Sequence, residues 1–271
     1  MFTEINTFLS DLIWGSILIY LLPILGIFFT VSSRFVQFRY FFKMFNILRD
    51  TVHDKDGHIS SFQALMLSVA GRVGGGNIAG VAVAISLGGA GAVFWMWVIA
   101  LVGMATSFFE CSLAQLYKEK DGLDSCVYRG GPAYYATKAL KQRWLGIVIS
   151  FLLLITFGFA FNATQSFIIS TSFEASFNLP TWVSGILLTI VFGITIFGGV
   201  RSITKMSEVI VPIMALGYLL IALVVIVLNI EEIPALVYMI VTEAFNPSSA
   251  IGGGIGAVIL QGAKRGMFSN E

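Results

Sequence analysis

Residues 71–80 read GRVGGGNIAG: five glycines, one arginine and one asparagine inside a long apolar run. Such a stretch can do chemistry without a charged reactive group. Glycine weakens a helix by about 1 kcal/mol relative to alanine, and Gly74, Gly75 and Gly76 open backbone conformations closed to other residues. A helix broken there and restarted near Asn77, a good N-cap type, presents the N–H groups of a new helix start. Those groups and the positive end of the helix dipole suit an anion such as a carboxylate. The carbonyls that end the preceding half-helix, around Val69–Val73 and including Ala70 and Val73, suit a cation or an ammonium group. A zwitterionic amino acid matches the gap at both ends.

Glycines in membrane helices also serve close packing, and Gly76-xxx-Gly80 has the small-xxx-small spacing. Three consecutive glycines beside Arg72 and Asn77 favour a site over packing alone. An ionisable residue at membrane depth is a functional candidate by default. Arg72 reads either as a gate or as a structural partner of Glu110, and the two roles are compatible.

The elements that must position these residues follow from composition. The chain has 271 residues, of which 57% are hydrophobic and 11% charged. A soluble domain carries roughly a quarter charged residues, so this is an all-α polytopic membrane protein. The net charge of +1 points to no nucleic-acid partner. Cys111 and Cys126 lack metal-ligand spacing and read as free. His53 and His58 sit in the polar DKDGH loop. No His/Cys/carboxylate cluster lies at membrane depth, which argues against an enzyme.

A spanning helix takes about 20 apolar residues. Seven candidates appear: 12–31, 61–87, 91–117, 144–170, 181–200, 207–229, and one starting near Ser248 that runs to Glu271. The links after the first, third and fifth hold all the basic residues between spans. These are Arg34, Arg39, Lys43, Arg49 and Lys55, then Lys118, Lys120, Arg129, Lys138, Lys141 and Arg143, then Arg201 and Lys205. The other links and the first eleven residues hold none. The positive-inside rule places the N-terminus outside and these links in the cytoplasm of a plasma (inner) membrane protein. Arg34–Asp50 reads as an amphipathic helix on the membrane surface or an elbow between spans. Pro132–Gln142, with proline at a helix start, reads the same way.

Inverted-repeat transporters place broken helices at matching positions in their two halves. The seventh segment supplies the match: IGGGIG, 251–256, followed by QGAKRGMFSNE, 261–271. Spans two and seven run in opposite directions. Residues 61–229 then form a first five-helix repeat, 248–271 opens a second, and 12–31 is a peripheral helix.

Three stretches carry a resemblance. GGAGAVFWMWVIALVG (88–103), GGGNIAGVAVAI (74–85) and QGAKRGMFSNE (261–271) resemble the alanine or glycine:cation symporter family. The resemblance implies a leucine-transporter-type fold of two inverted five-helix repeats behind one extra helix. It also implies sodium- or proton-coupled import of small neutral amino acids such as alanine or glycine. By that resemblance Gly74, Gly75, Gly76 and Asn77 meet the substrate carboxylate and Gln165 faces the central site. Gly262, Gly266, Ser269 and Asn270 lie at or near the second break. Asn162 is a weaker candidate that equally serves its own helix. Sodium is the expected coupling ion, held in part by carbonyls near Ala70 and Val73 and lodged with the substrate between the two breaks. Phe94–Trp97 reads as an interfacial anchor in preference to a substrate contact. Family members have about eleven spans, so a truncated chain, inactive alone and lacking a second repeat, is expected. The rival is a non-transporting membrane scaffold or partner subunit.

Overall fold

The computed structural model describes residues 2–49, 60–120, 128–245, 259, 262–264 and 266–267. The architecture is helical, with one two-residue antiparallel pairing of β1 (Glu119–Lys120) and β2 (Tyr128–Arg129). Four helical stretches are long and apolar enough to cross a membrane: Glu4–Ser32, Gly91–Leu116, Arg143–Phe177 and Ser202–Leu228. A bent pair, Ser61–Arg72 and Gly75–Gly88, is apolar enough when taken together to be a broken span or a re-entrant loop. Thr181–Phe197 is a shorter apolar helix.

The first crossing is built from α1 (Phe2–Ser10), a π-helical turn over Asp11–Ile17, and α2 (Leu18–Ser32). It therefore begins well before the expected residue 12. The stretch that follows is two helices rather than one, α3 (Val36–Arg39) and α4 (Phe41–Arg49). Arg34 and Phe35 both take left-handed backbone, φ 56°, and that turn separates α2 from α3. The bent pair is α5 (Ser61–Arg72) and α6 (Gly75–Gly88), and α7 is Gly91–Leu116. After β2 come α8 (Pro132–Lys138), α9 (Arg143–Ile155), a second π-helical turn at Thr156–Ala160, and α10 (Phe161–Phe177). From Arg143 to Phe177 this is one path of 35 residues. At about 1.5 Å per residue it is roughly 52 Å long, well beyond the ~30 Å hydrocarbon core.

Two expected boundaries differ from the structure. The link at 201–206 does not exist as a loop. α11 (Thr181–Phe197) gives way at once to α12 (Gly199–Leu228). Gly199, at φ 72°, makes the turn with a conformation that a side chain would resist. Lys205 thus rides on the first turns of α12. The link expected at 230–247 contains α13 (Ile233–Ala244), started by a proline in its first turn.

The surface explains the composition. Ile186, Leu187, Ile190, Ile194, Ile213 and Ile221 are all more than half exposed on α11 and α12. A protein in water hides such a belt, whereas a bilayer covers it. The fully buried positions are mostly small: Ala84, Ala92, Ala105 and Ala244 have no exposure. Helices that meet in lipid pack through small residues in this way.

The described residues fall into two compact units. One comprises 43–76 and 109–215, and the other 1–42, 77–108 and 216–271. In the second, Ile19 packs with Ala263 and Met267, flanked by Trp14, Leu22 and Ile99. The first span thus packs against residues 263 and 267.

Candidate functional site

The break in the second crossing is built by its flanks. α5 opens with a capping box: Ser60 Oγ accepts the Gln63 N–H at 3.1 Å, and Gln63 Oε1 accepts the Ser60 N–H at 3.1 Å. The Gln63 amide also donates from Nε2 to Glu208 Oε2 on α12, at 2.9 Å. The start of α5 is thereby fixed, and the irregularity falls at its other end. α5 stops at Arg72, and Val73 is extended, with φ −98° and ψ 109°. Its N–H still closes on Val69 O at 2.8 Å. α6 then starts at Gly75, and the two half-helices are bent by 49°. A helix end leaves last-turn carbonyls without intrahelical donors, and a helix start leaves N–H groups without intrahelical acceptors. Both kinds of group therefore meet within residues 70–77.

Two details of the sequence reading are corrected. Asn77 is not the N-cap; it is the third residue of α6, because the helix begins at Gly75. Nor do Gly74–Gly76 use left-handed backbone, since the described glycines with positive φ are Gly89, Gly131 and Gly199. Their lack of a side chain matters for space. A Cβ on Gly74 would come within 2.5 Å of Gln165 Nε2, and one on Gly75 within 2.7 Å of Ile168 Cγ2. Gln165 and Ile168 are one turn apart on α10, so that face of α10 lies against the break. A Cβ on Gly76 would meet nothing within 4 Å. Two glycines admit α10, and the third leaves the first turn of α6 open.

The structure thus brings Gly74, Gly75 and Gln165 together. The Gln165 amide offers both a donor and an acceptor beside the exposed helix start. Ile168 was not legible in advance, because an apolar residue on an apolar helix carries no signal of its own. Asn162 serves its own helix: its Nδ2 donates to Gly158 O in the π-helical turn, at 3.1 Å. Arg72 is the last residue of α5 and is exposed. Glu110, also exposed, lies near Tyr135 of α8. Burial, and secondarily the Glu110 carboxylate, push the Tyr135 phenol above its ordinary value.

The second glycine-rich segment is placed differently. A Cβ on Gly262 would meet Trp95 Cβ at 2.6 Å and Ala92 O at 2.7 Å. One on Gly266 would meet Met96 Cα and Ile99 Cβ, both at 3.1 Å. These two glycines form a face that receives α7, so any ligand contact there must come through main-chain groups. Ser269, Asn270 and residues 251–258 lie outside the described residues, as do His53, His58 and Cys126. Cys111 is a free thiol.

Trp95 has a role that neither sequence reading gave it. Its Nε1 donates to Ala244 O at 3.0 Å, and its ring meets Phe245 edge-on at 5.8 Å. Glu243 Oε2 accepts the Ala90 N–H at 3.1 Å. A Cβ on Gly91 would come within 2.5 Å of the α13 backbone. The end of α13 is therefore clamped onto the start of α7, while Trp97 remains half-exposed.

An interrupted helical path with glycines at the interruption and an amide beside it is the pattern that inverted-repeat membrane transporters use. The chain belongs to the sodium:alanine symporter family, which it matches over residues 1–271. It is 49% identical over 262 residues to the amino-acid carrier protein AlsT of Bacillus subtilis, covering 97% of this chain and 55% of that protein. It is 46% identical to the probable sodium/glutamine symporter GlnT of the same organism, over 97% and 54% of the two chains. Against the sodium/alanine symporter AgcS of Methanococcus maripaludis it is 39% identical, over 98% and 60%. The chain spans a little more than half the length of these relatives.

Proposed function

We propose that this chain forms the substrate-binding first part of a cation-coupled symporter that imports small neutral amino acids. The observation that carries the proposal is the contact of the Gln165 amide with Gly74, beside a helix start left open at Gly76. The substrate carboxylate is received by N–H groups of Gly75, Gly76 and Asn77, favoured by the helix dipole. Gln165 completes the polar lining. The main chain at Ala70 and Val73 offers hard carbonyl oxygens at the end of α5, the donor type that binds sodium in broken-helix transporters. Gly262, Gly266, Ser269 and Asn270 belong to a second break in the same scheme.

Residues 61–229 constitute the first repeat, 248–271 begin the second, and 12–31 stand outside both. The scheme extends over a chain of the relatives' length. The basic links orient the protein with its N-terminus outside the inner membrane. Arg72, at the break, and Glu110, toward the cytoplasmic end of α7, are the gating groups. Coupling arises because a bound sodium ion and a bound amino acid each stabilise the same occluded state. Relatives with alanine and glutamine in their names support an amino-acid substrate, and the bare glycine lining favours a small one.

The test is uptake of labelled alanine by cells producing the full-length protein, with and without an inward sodium gradient. Uptake that rises with the gradient is expected. Uptake indifferent to it overturns sodium coupling, and no uptake of any small neutral amino acid overturns the substrate class.

A further inference from the structure

A groove lies between α8 and the start of α9, away from the broken span. One end has a volume of about 400 Å³ and is lined by Thr137, Lys138, Arg143 and Glu119, among others. It continues into a second hollow of about 530 Å³ along Leu153, Leu154 and Phe157. Tyr134 and Ser150 line both parts. The groove is therefore basic at one end and apolar at the other.

Its walls are set by packing. A Cβ on Gly146 would clash with Thr137 Oγ1 and come within 2.9 Å of Ala133 O, so α8 sits tightly on α9 there. The Thr137 hydroxyl is committed to Ala133 O, at 2.8 Å. At the basic end Lys138 Nζ is 2.7 Å from Glu119 Oε1. Arg143 begins α9 and is exposed. Two cations and one carboxylate leave a net positive charge. At the other end Leu154 and Phe157 are more than half exposed.

The dimensions suit an amphiphile lying along α9. Arg143 and Phe157 are separated by 14 helical positions, about 21 Å, slightly more than the ~15 Å of hydrocarbon in one leaflet. A head group at Arg143 would place an acyl chain along Leu153, Leu154 and Phe157. Guanidinium binds phosphate through two parallel hydrogen bonds, and clustered cations at the cytoplasmic interface attract anionic lipid.

We propose that this groove binds one anionic phospholipid, with its phosphate on Arg143 and Lys138 and one chain on the apolar flank of α9. The proposal uses the membrane orientation given above but not the transport reaction. Lys138 exchanges Glu119 for the phosphate when the lipid binds, which leaves Glu119 to solvent.

The experiment places the chain in nanodiscs of phosphatidylcholine doped with phosphatidylglycerol bearing a diazirine on one acyl chain. Photolabelled peptides are then mapped. Labelling concentrated in residues 150–158 is expected, displaced by unlabelled phosphatidylglycerol and not by inorganic phosphate. Arg143→Ala and Lys138→Ala each lower it by about fivefold, whereas Arg143→Lys retains most of it. Leu154→Trp fills the apolar flank and abolishes labelling with the basic end intact, which keeps the test informative if the alanine variants fold poorly. Equal labelling by a phosphatidylcholine probe overturns the proposal. So does labelling that survives both alanine substitutions, or displacement by phosphate alone. None of these readouts depends on uptake.

Discussion

Residues 74–76 and residues 262–266 use glycine for opposite ends. At the first, two glycines admit Gln165 and Ile168 of α10, and the third faces open space at a helix start. At the second, both glycines are buried against α7, with backbone or Cβ atoms of that helix within about 3 Å of where a side chain would begin. Glycine density therefore does not define a ligand site. What separates the two is whether one glycine keeps its open side, as Gly76 does.

The sharpest way to break the comparison is to fill that open side. In a full-length protein, Gly76→Leu is expected to reduce alanine uptake by about a hundredfold, because charge-assisted bonds of about 1.5–3 kcal/mol each are lost. The thermal unfolding midpoint in detergent should barely move, since nothing lies within 4 Å of the new Cβ. A variant that unfolds while retaining uptake per folded molecule would reverse the roles of the two segments.

Gly262→Ala is the counterpart. Its Cβ meets the Ala92 carbonyl and Trp95 Cβ, and neither can move without shifting α7. A loss of about 1–3 kcal/mol is expected, read as a lower unfolding midpoint. Gly74→Ala should cost less, because the group it meets is the far end of a flexible amide.

Gln165→Ala sharpens the picture at the site itself. Removal of one neutral hydrogen-bonding partner should raise the apparent KM for alanine by about tenfold. An unchanged KM would detach α10 from the substrate.

The smallest effect concerns pH. The raised Tyr135 phenol stays neutral in the folded protein where the unfolded chain, with its ordinary value of 10.0, begins to ionise. The stability this contributes is complete below about pH 10 and declines as pH climbs through the raised folded value. Tyr135→Phe should flatten the fall of the unfolding midpoint between pH 9 and 11 by a small margin.

Much of this was legible in the sequence because the bilayer is a strict solvent. Apolar length marked four long stretches and the bent pair, while the expected span at 181–200 is a shorter helix; the glycine run marked the interruption, since only a special reason puts three glycines in such an apolar run. The position of the restart was read two residues late. Asn77 is a strong capping type, yet Gly75 begins the helix because α10 packs on Gly74 and Gly75, and that contact joins residues about ninety apart. α13 was missed because the ten mostly apolar residues between Glu232 and Glu243 are too few to cross a membrane, although Pro234 was a helix-start signal. The clamp of Glu243 on Ala90 joins residues 153 apart, and no local pattern announces it. The resemblance supplied Gln165, which local reading alone would have left as one more polar residue in a helix.

The central claim is that main-chain N–H groups at the start of α6 receive a carboxylate. Sodium-dependent binding of labelled alanine to the purified full-length protein, with alanine and alaninamide as competitors, tests it most directly. Alaninamide keeps the ammonium group and the methyl group but has no negative charge. The account predicts that unlabelled alanine displaces the label and alaninamide at equal concentration does not. Equal displacement by the two would contradict it.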